Sequence, residues 1–247
     1  MPPARTWAAE RWRPSAASGA SASARVSART SAATRAGSRA AAHRREAVGD
    51  EVREPVDRGR LDRIAGMRGG RAAVCGLSLG GYAALSLAAR HPARVAALVL
   101  ADTRAEADTP DAAEGRHRSA AQVRGGGTAA FLDDFVPRLV APGDDAARDA
   151  ARAIADRQDP EAVARALEAL AGRADRRGDL AAMSAPALVV VGSEDALTPP
   201  PFAETLAAGL PDAELVVIPR AGHLSALERP ADFAAAVAPF LERRLDA

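Results

Sequence analysis

The pentapeptide GLSLG at residues 76–80 constrains the fold of this chain more than any other stretch. The short apolar run before it, residues 72–75, predicts a buried strand, and residues 79–90 carry Ala and Leu at spacings typical of a helix. A strand that leads into a helix through one serine, Ser78, must turn sharply, which favours glycine two positions to either side. The pattern is typical of a nucleophile elbow, although a glycine-rich turn with an incidental serine has the same sequence.

A continuous apolar run further along the chain, residues 187–191, predicts a strand that is covered on both faces, and a second run, residues 214–218, predicts a further strand. Asp195 follows the first run closely, and His223 follows the second. Sites in α/β sheets form at the carboxyl ends of parallel strands, so the acid and the histidine are expected at the same edge as Ser78. The chain order Ser, Asp, His is also the order that accompanies a nucleophile elbow.

These three side chains have the chemistry of a nucleophile and the groups that activate it. A serine hydroxyl is a weak nucleophile, so a neutral imidazole, here His223, must accept its proton as the oxygen attacks. A carboxylate must then hold the imidazole in the correct tautomer and stabilise its charged form. Asp195 is the preferred candidate for this carboxylate. Asp102, which follows a predicted strand at residues 95–101, is the alternative.

Three stretches, GLSLGGYAAL, GSEDALTPP and IPRAGHLSALERPADF, together resemble the α/β-hydrolase superfamily, and within it serine esterases and enol-lactonases such as 3-oxoadipate enol-lactonase. The likeness runs from about residue 71 to residue 241. It implies an α/β-hydrolase fold with a mostly parallel sheet, and a serine hydrolase that cleaves a carboxylic ester or enol-lactone through an acyl-enzyme. It also implies the triad Ser78, Asp195 and His223, with the backbone N–H of Leu79 as half of the oxyanion hole.

The segment between the second and third predicted strands, about residues 104–180, is expected to form a helical cap over the site, as in related hydrolases. Apolar residues recur there at helical spacing, and glycine or proline marks the turns between them. The predicted helices cover residues 129–140, 144–156 and 160–171. The charges of residues 102–108, where the segment begins, are expected to lie mostly in solvent.

Three apolar side chains of the first of these helices, Phe131, Phe135 and Leu139, are candidates to line an apolar substrate pocket. The same residues have a simpler interpretation, in which they only dock the cap on the sheet. Both interpretations stay open at this point. Ser225, two residues after His223, is a weaker candidate for the pocket, and the preferred interpretation is an exposed turn serine.

The first 60 residues differ in composition from the rest of the chain. They contain no Leu, Ile or Phe and therefore offer no buried strand, whereas the family places several strands before the serine. The His-Gly loop that supplies the second oxyanion donor in the family is not found either, since His43 is followed by Arg44. Residues 1–45 hold nine arginines and a single acid, Glu10, so they carry +8 in a chain whose net charge is +1.

Three interpretations of residues 1–60 stay open. An Arg- and Ser-rich, acid-poor tract is typical of a transit peptide, and equally of a disordered polycation that binds nucleic acid or an anionic surface. The third is translation from a wrong frame or start, because the chain has no Lys or Asn and only three Ile, as expected of GC-rich coding DNA. Nucleic acid is the weakest partner expectation, because it depends on this basic arm alone.

Further limits follow from motifs that the sequence does not contain. No apolar run approaches about 18 residues and no signal-peptide core appears, so we expect no membrane span and a cytoplasmic protein. No His and Cys residues have the spacing of metal ligands, and no dinucleotide or phosphate-loop motif is present, so neither a metal nor a cofactor is expected. If the sheet lacks its first strands, the strand before Ser78 becomes an edge, which predicts self-association.

The function predicted from these features is a serine hydrolase that acts on a small-molecule ester or lactone. A C–C bond hydrolase, a perhydrolase and an acyltransferase use the same triad, and they stay open as alternatives. So does a catalytically impaired remnant with a basic arm, because loss of one oxyanion donor typically lowers turnover by a factor on the order of 10²–10³.

Overall fold

The computed structural model describes residues 70–245, so the interpretations of residues 1–60 concern a part of the chain outside the described residues. Within the described range, four strands form one sheet in the order β1-β2-β3-β4, and all three pairings are parallel. The strands are β1 Ala72–Leu77, β2 Val95–Ala101, β3 Ala187–Gly192 and β4 Ala213–Ile218. The parallel sheet predicted from the four apolar runs is therefore confirmed.

Helices connect the strands and complete the predicted α/β architecture. Those before β3 are α1 Leu79–Arg90, α2 Pro110–Gly126, α3 Ala129–Phe135, α4 Asp145–Ala155 and α5 Pro160–Ala171. Those after β3 are α6 Pro200–Gly209, α7 Ser225–Glu228 and α8 Pro230–Leu245. Short 3-10 helices at Pro92–Arg94, Val136–Arg138 and Arg177–Ala182 complete the chain in this range.

The central strands are apolar at every position because helices cover both faces of the sheet. In β2, Leu98 and Leu100 point to the face on which α1 and α6 pack, and Val99 points to the opposite face, where α8 packs with Phe240. All four side chains are fully buried. A strand with two covered faces has no polar side, and this explains why the sequence shows continuous rather than alternating hydrophobicity.

The segment between β2 and β3 contains one helix that was not predicted. Helix α2 is mostly polar, and it buries only Ala120 and Val123, which pack against Ala164 and Leu167 of α5. The helices predicted at residues 144–156 and 160–171 agree with α4 and α5. The helix predicted at 129–140 is shorter, because Pro137 lacks the N–H that a continuing α-helix requires.

The prediction that residues 102–108 lie mostly in solvent is wrong. Asp102 is fully buried, and the side chain of Asp108 is 1 % exposed. Asp108 forms ion pairs with Arg104 at 2.7 Å, Arg116 at 2.5 Å and Arg173 at 2.8 Å. Burial raises the pKa of Asp108, but hydrogen bonds from Arg173 and Arg116 outweigh burial and hold that pKa below its usual value. These ion pairs join the beginning of the β2–β3 segment to its end.

Two findings on the described residues bear on partners. No helix in residues 70–245 has both the length and the apolar character needed to cross a bilayer, and no three potential metal ligands cluster in that range. Strand β1 is an edge of the sheet formed by the described strands. Self-association through this edge stays a prediction.

Candidate active site

Ser78 lies at a strained turn between β1 and α1. Its backbone angles, φ +50° and ψ −112°, are rare for any residue with a side chain. The turn is held from both sides, because the Ser78 N–H donates to the carbonyl oxygen of Ala101 at 2.9 Å and the Thr103 hydroxyl donates to the carbonyl oxygen of Ser78 at 3.0 Å. Both contacts come from residues at or just after the end of β2, and they hold the strained backbone of Ser78 in place.

The turn requires glycine at position 76 but not at position 80. A Cβ atom on Gly76 would lie 2.2 Å from the carbonyl oxygen of Gly80, and a Cβ atom on Gly81 would lie 2.5 Å from the Thr103 side chain. A Cβ atom on Gly80 would meet nothing within 4 Å. The expectation of a steric requirement on both sides of Ser78 is therefore correct on the strand side and wrong at Gly80, because the close approach on the helix side falls on Gly81.

The structure brings the three predicted residues together at the carboxyl edge of the sheet. His223 Nε2 lies 2.8 Å from Ser78 Oγ, and His223 Nδ1 lies 2.9 Å from Asp195 Oδ2. His223 and Asp195 are each only 3 % exposed, so little water screens the interaction between them. With this geometry the imidazole can accept a proton from the hydroxyl while the carboxylate holds its other nitrogen.

Asp195 is held in a network of donors that keeps it charged. The backbone N–H groups of Leu197 and Thr198 donate to its Oδ1 at 2.8 and 2.9 Å, and the Thr198 hydroxyl donates to its Oδ2 at 2.7 Å. Burial raises the pKa of Asp195, but the hydrogen bonds from His223 and Thr198 outweigh burial, so the pKa lies below its usual value. Thr198 was not singled out from the sequence, although its place three residues after the acid in GSEDALTPP is a turn signal.

Asp102 lies at the same edge but has different partners. Its Oδ1 accepts from the Gly192 N–H at 3.0 Å, and its Oδ2 accepts from the Ser225 hydroxyl at 2.6 Å and the Ser225 N–H at 3.2 Å. Burial raises the pKa of Asp102 to about 7, although these hydrogen bonds lower it. Ser225 is fully buried, so the expectation of an exposed turn serine is wrong. The geometry favours Asp195 over Asp102 as the partner of His223.

Leu79, the candidate oxyanion donor, is the first residue of α1. Amides in the first turn of a helix have no partner within the helix, and they lie at the positive end of its dipole. The backbone N–H beside Ser78 is therefore placed in a region that favours negative charge. The His-Gly loop expected to supply the second donor is not found in the sequence before Ser78, and residues 1–69 lie outside the described residues.

The three candidate pocket residues are half-buried and have different neighbours. Phe131 and Phe135 stack with ring centroids 5.1 Å apart, and Phe131 packs against both small apolar clusters of the β2–β3 segment. The carbonyl oxygen of Leu139 accepts from the N–H of Leu224, the residue after His223, at 3.1 Å. Leu139 is thus adjacent to the segment at residues 219–225 that carries His223, here called the histidine loop, whereas Phe131 joins the helices of the β2–β3 segment. Contact of these residues with substrate stays a prediction.

Comparison with known sequences identifies the family. Residues 50–230 match the sequence model of the α/β-hydrolase fold. A pimeloyl-[acyl-carrier protein] methyl ester esterase from Neisseria meningitidis serogroup B is 35% identical over 195 residues, which cover 73% of this chain and 73% of that protein. A protein of the same name from Aromatoleum aromaticum is 38% identical over 184 residues, covering 66% of this chain and 71% of its own.

Solved structures agree with this assignment. A thermophilic esterase from Thermogutta terrifontis superposes with a TM-score of 0.70 at 36% identity, covering 74% of this chain and 68% of that chain. The enol-lactonase from Burkholderia xenovorans LB400 superposes with a TM-score of 0.66 at 28% identity, covering 78% of this chain and 75% of that chain. The resemblance to esterases and enol-lactonases seen in the sequence is confirmed. The chain belongs to the α/β-hydrolase family and is an enzyme of the α/β-hydrolase type.

Proposed function

We propose that this chain is a serine hydrolase that cleaves a carboxylic ester or enol-lactone through an acyl-enzyme intermediate. The observation that carries the proposal is the continuous set of hydrogen bonds from Ser78 through His223 to Asp195, at 2.8 and 2.9 Å. A strained serine that contacts a buried histidine, which in turn contacts a charged carboxylate, is the arrangement that nucleophilic acyl transfer needs.

In this mechanism Ser78 Oγ attacks the carbonyl carbon of the substrate while its proton moves to His223 Nε2. The oxygen that becomes negative in the tetrahedral intermediate accepts from the Leu79 N–H. His223 then gives its proton to the leaving oxygen, the ester bond breaks, and the acyl group remains on Ser78. A water molecule repeats the sequence, with His223 as base, and releases the acid. Asp195 stabilises the imidazolium formed in each half.

The names of the relatives suggest which ester to test first. The curated relatives in Neisseria meningitidis and Aromatoleum aromaticum are named as methyl ester esterases, and one structural neighbour is named as an enol-lactonase. Methyl esters of straight-chain acids and an enol-lactone are therefore the first two substrate classes. Ester hydrolysis is favoured over C–C bond cleavage, perhydrolysis and acyl transfer because these relatives are named for ester or lactone chemistry.

The test is turnover of methyl esters and an enol-lactone by the purified chain, together with Ser78→Ala. Wild type is expected to hydrolyse at least one class, and Ser78→Ala is expected to lose a factor on the order of 10⁵–10⁶ in kcat. Rapid quenching with mass spectrometry should find the acyl group on the peptide that contains Ser78. Ser119→Ala, a change in helix α2, is the matched control and should keep full turnover. A folded wild type that turns over neither class and acquires no acyl group contradicts the proposal.

A further inference from the structure

Glu228 is a buried carboxylate that has no place in the reaction described above. It is the last residue of the short helix α7 and is 7 % exposed. Its two oxygens accept from the Gly222 N–H, both at 2.9 Å, and its Oε1 also accepts from the Leu224 N–H at 3.2 Å. Gly222 and Leu224 are the residues on either side of His223. One side chain thus holds the backbone before and after the histidine.

The same carboxylate also binds the segment between β2 and β3. Its Oε2 accepts from the Ala141 N–H at 2.7 Å. The two pieces of chain are in direct contact there, since a Cβ atom on Gly222 would lie 2.5 Å from the Ala141 nitrogen. The hydrogen bond from the Leu224 N–H to the Leu139 carbonyl oxygen is a second link between them. Glu228 therefore joins residues 139–141 to the histidine loop.

The chemistry of the side chain explains why a carboxylate is needed at this position. Three backbone N–H groups converge on two oxygens, and only an ionised carboxylate offers acceptors on both of them. In glutamine one oxygen is replaced by an NH₂ group, which would face an N–H donor. With the NH₂ group in place of Oε2 the Ala141 N–H loses its acceptor, and with the NH₂ group in place of Oε1 the Leu224 N–H faces a donor and keeps only the Leu139 carbonyl oxygen, so the loop would shift in either orientation.

We propose that Glu228 is a positioning residue that sets His223 against Ser78 and couples this contact to the β2–β3 segment. The inference rests on the proposed serine hydrolase function. Movement of residues 139–141 is transmitted to the histidine through the shared carboxylate. Because a displacement of about 1 Å in a catalytic group lowers the rate by on the order of 100-fold, small changes at Glu228 affect turnover strongly.

The test compares Glu228→Gln with Arg229→Ala, in the full chain. Arg229 is the adjacent residue, and it also reaches the β2–β3 segment, through Asp144 at 2.7 Å. Its guanidinium also donates to the backbone carbonyl oxygen of Glu228, at 2.6 Å. It serves as the control because both of its contacts lie outside the Glu228 carboxylate and the backbone groups that flank His223. The readouts are kcat and KM for a small methyl ester, the rate at which a fluorophosphonate labels Ser78, and the melting temperature.

We expect Glu228→Gln to lower kcat and the labelling rate together, by on the order of 10–100-fold, with little change in KM. Arg229→Ala should keep both rates within about twofold of wild type, because a partly exposed ion pair contributes little. A lower melting temperature in Glu228→Gln with wild-type rates would mean that Glu228 is only structural, and would overturn the proposal. Equal rate losses in both variants would overturn it as well.

A spectroscopic readout separates this inference from the proposed function. The far-downfield proton resonance of a histidine–carboxylate hydrogen bond needs no substrate, so it reports on His223 and Asp195 even in a chain that hydrolyses nothing. We expect it in wild type and Arg229→Ala, and expect it weakened or shifted in Glu228→Gln. An unchanged resonance in Glu228→Gln overturns the proposal. If Glu228→Gln does not fold, Glu228→Asp keeps the charge but shortens the reach, and wild-type rates in that variant overturn the proposal too.

Discussion

The ends of β2 and β3 carry two buried aspartates whose surroundings differ in one respect. Asp102 is 0% exposed and Asp195 is 3% exposed, and each accepts from backbone N–H groups and one hydroxyl. Only Asp195 also contacts an imidazole, that of His223. The pKa of Asp195 is lowered although burial raises it, whereas burial raises the pKa of Asp102 to about 7.

This difference shows that a position at a strand end makes a carboxylate available but does not decide what it does. A carboxylate that stabilises an imidazolium must be charged at neutral pH, and Asp195 meets that condition through its partners. Asp102 instead joins the end of β3 at Gly192 to the histidine loop at Ser225. We therefore propose that Asp195 orients the base and that Asp102 has a connecting role.

The largest expected effect comes from removing the charge of Asp195 and of Asp102, each in a separate variant. Asp195→Asn should lower kcat by on the order of 10³–10⁴, because the amide favours the wrong imidazole tautomer. Asp102→Asn should lower kcat less than about tenfold, because its contacts act only on the loop. Steady-state kinetics on a methyl ester measures both. Similar losses in the two variants would contradict the different roles of the two aspartates, as would Asp195→Asn activity that disappears only when Asp102 is also replaced.

A second prediction concerns the pH dependence of stability. The pKa of Asp102 is about 7 in the folded chain and about 3.9 in the unfolded chain, so the folded state holds this proton more tightly. The stability that the group contributes is complete below about pH 4 and is lost as pH rises through about 7. Asp102→Asn removes this dependence. Urea unfolding should show a smaller loss of stability between about pH 5 and pH 8 in Asp102→Asn than in wild type, by on the order of 2 kcal/mol.

The same experiment on Asp195→Asn gives the matched control, because the sign is opposite. The pKa of Asp195 is lowered in the folded chain, so its contribution is present above the unfolded pKa and is lost as pH falls. As pH falls below the pKa of an unfolded aspartate, Asp195→Asn should therefore lose less stability than wild type does. Near pH 7, the pH dependence of its free energy of unfolding should equal that of wild type. If the free energy of unfolding of Asp102→Asn depends on pH near pH 7 as it does in wild type, the raised pKa of Asp102 is contradicted.

Ser225→Ala tests the surroundings of Asp102 separately, because it removes one hydrogen-bond donor from that carboxylate. The Ser225 hydroxyl lowers the pKa of Asp102, so its loss should raise that pKa further and move the loss of stability to higher pH. The buried carboxylate also loses a partner, which costs about 1–3 kcal/mol when the carboxylate is charged. Urea unfolding as a function of pH measures both effects. An unchanged transition would show that Ser225 does not act on Asp102.

Thr198→Val has the smallest expected effect and acts on Asp195. The Thr198 hydroxyl donates to Asp195 Oδ2, while the two backbone N–H groups remain on Oδ1. We expect a loss of about 1 kcal/mol in stability and a decrease in kcat of less than about tenfold. Thermal unfolding and steady-state kinetics measure these values. A loss as large as that of Asp195→Asn would mean that Thr198, rather than the carboxylate, controls the imidazole.

The sheet and the placement of Ser78, Asp195 and His223 could be predicted because the signals are local. Continuous apolar runs mark strands with two covered faces, and the residues just after such strands must lie at one edge. The glycine at position 76 marks the tight turn before the helix. No long-range information is needed for any of these steps.

The rest depends on partners that are distant in sequence. From the sequence, Asp108 is expected to be a solvated charge, because its partner Arg173 lies 65 positions later in the chain. Helix α2 has too few apolar residues to show a helical stripe, and packing against α5 stabilises it. Asp102 and Glu228 belong to residue types that usually lie at the surface. Their burial depends on backbone N–H groups that only the folded chain brings together.

The most direct test of the proposed roles of Ser78, His223 and Asp195 is the rate at which a fluorophosphonate labels Ser78, followed by intact mass in wild type, Asp102→Asn and Asp195→Asn. We expect one adduct on Ser78 at similar rates in wild type and Asp102→Asn, and labelling slower by at least about 100-fold in Asp195→Asn. No adduct on a folded wild-type chain would contradict it. So would slow labelling confined to Asp102→Asn, because the second aspartate would then be the one that orients His223.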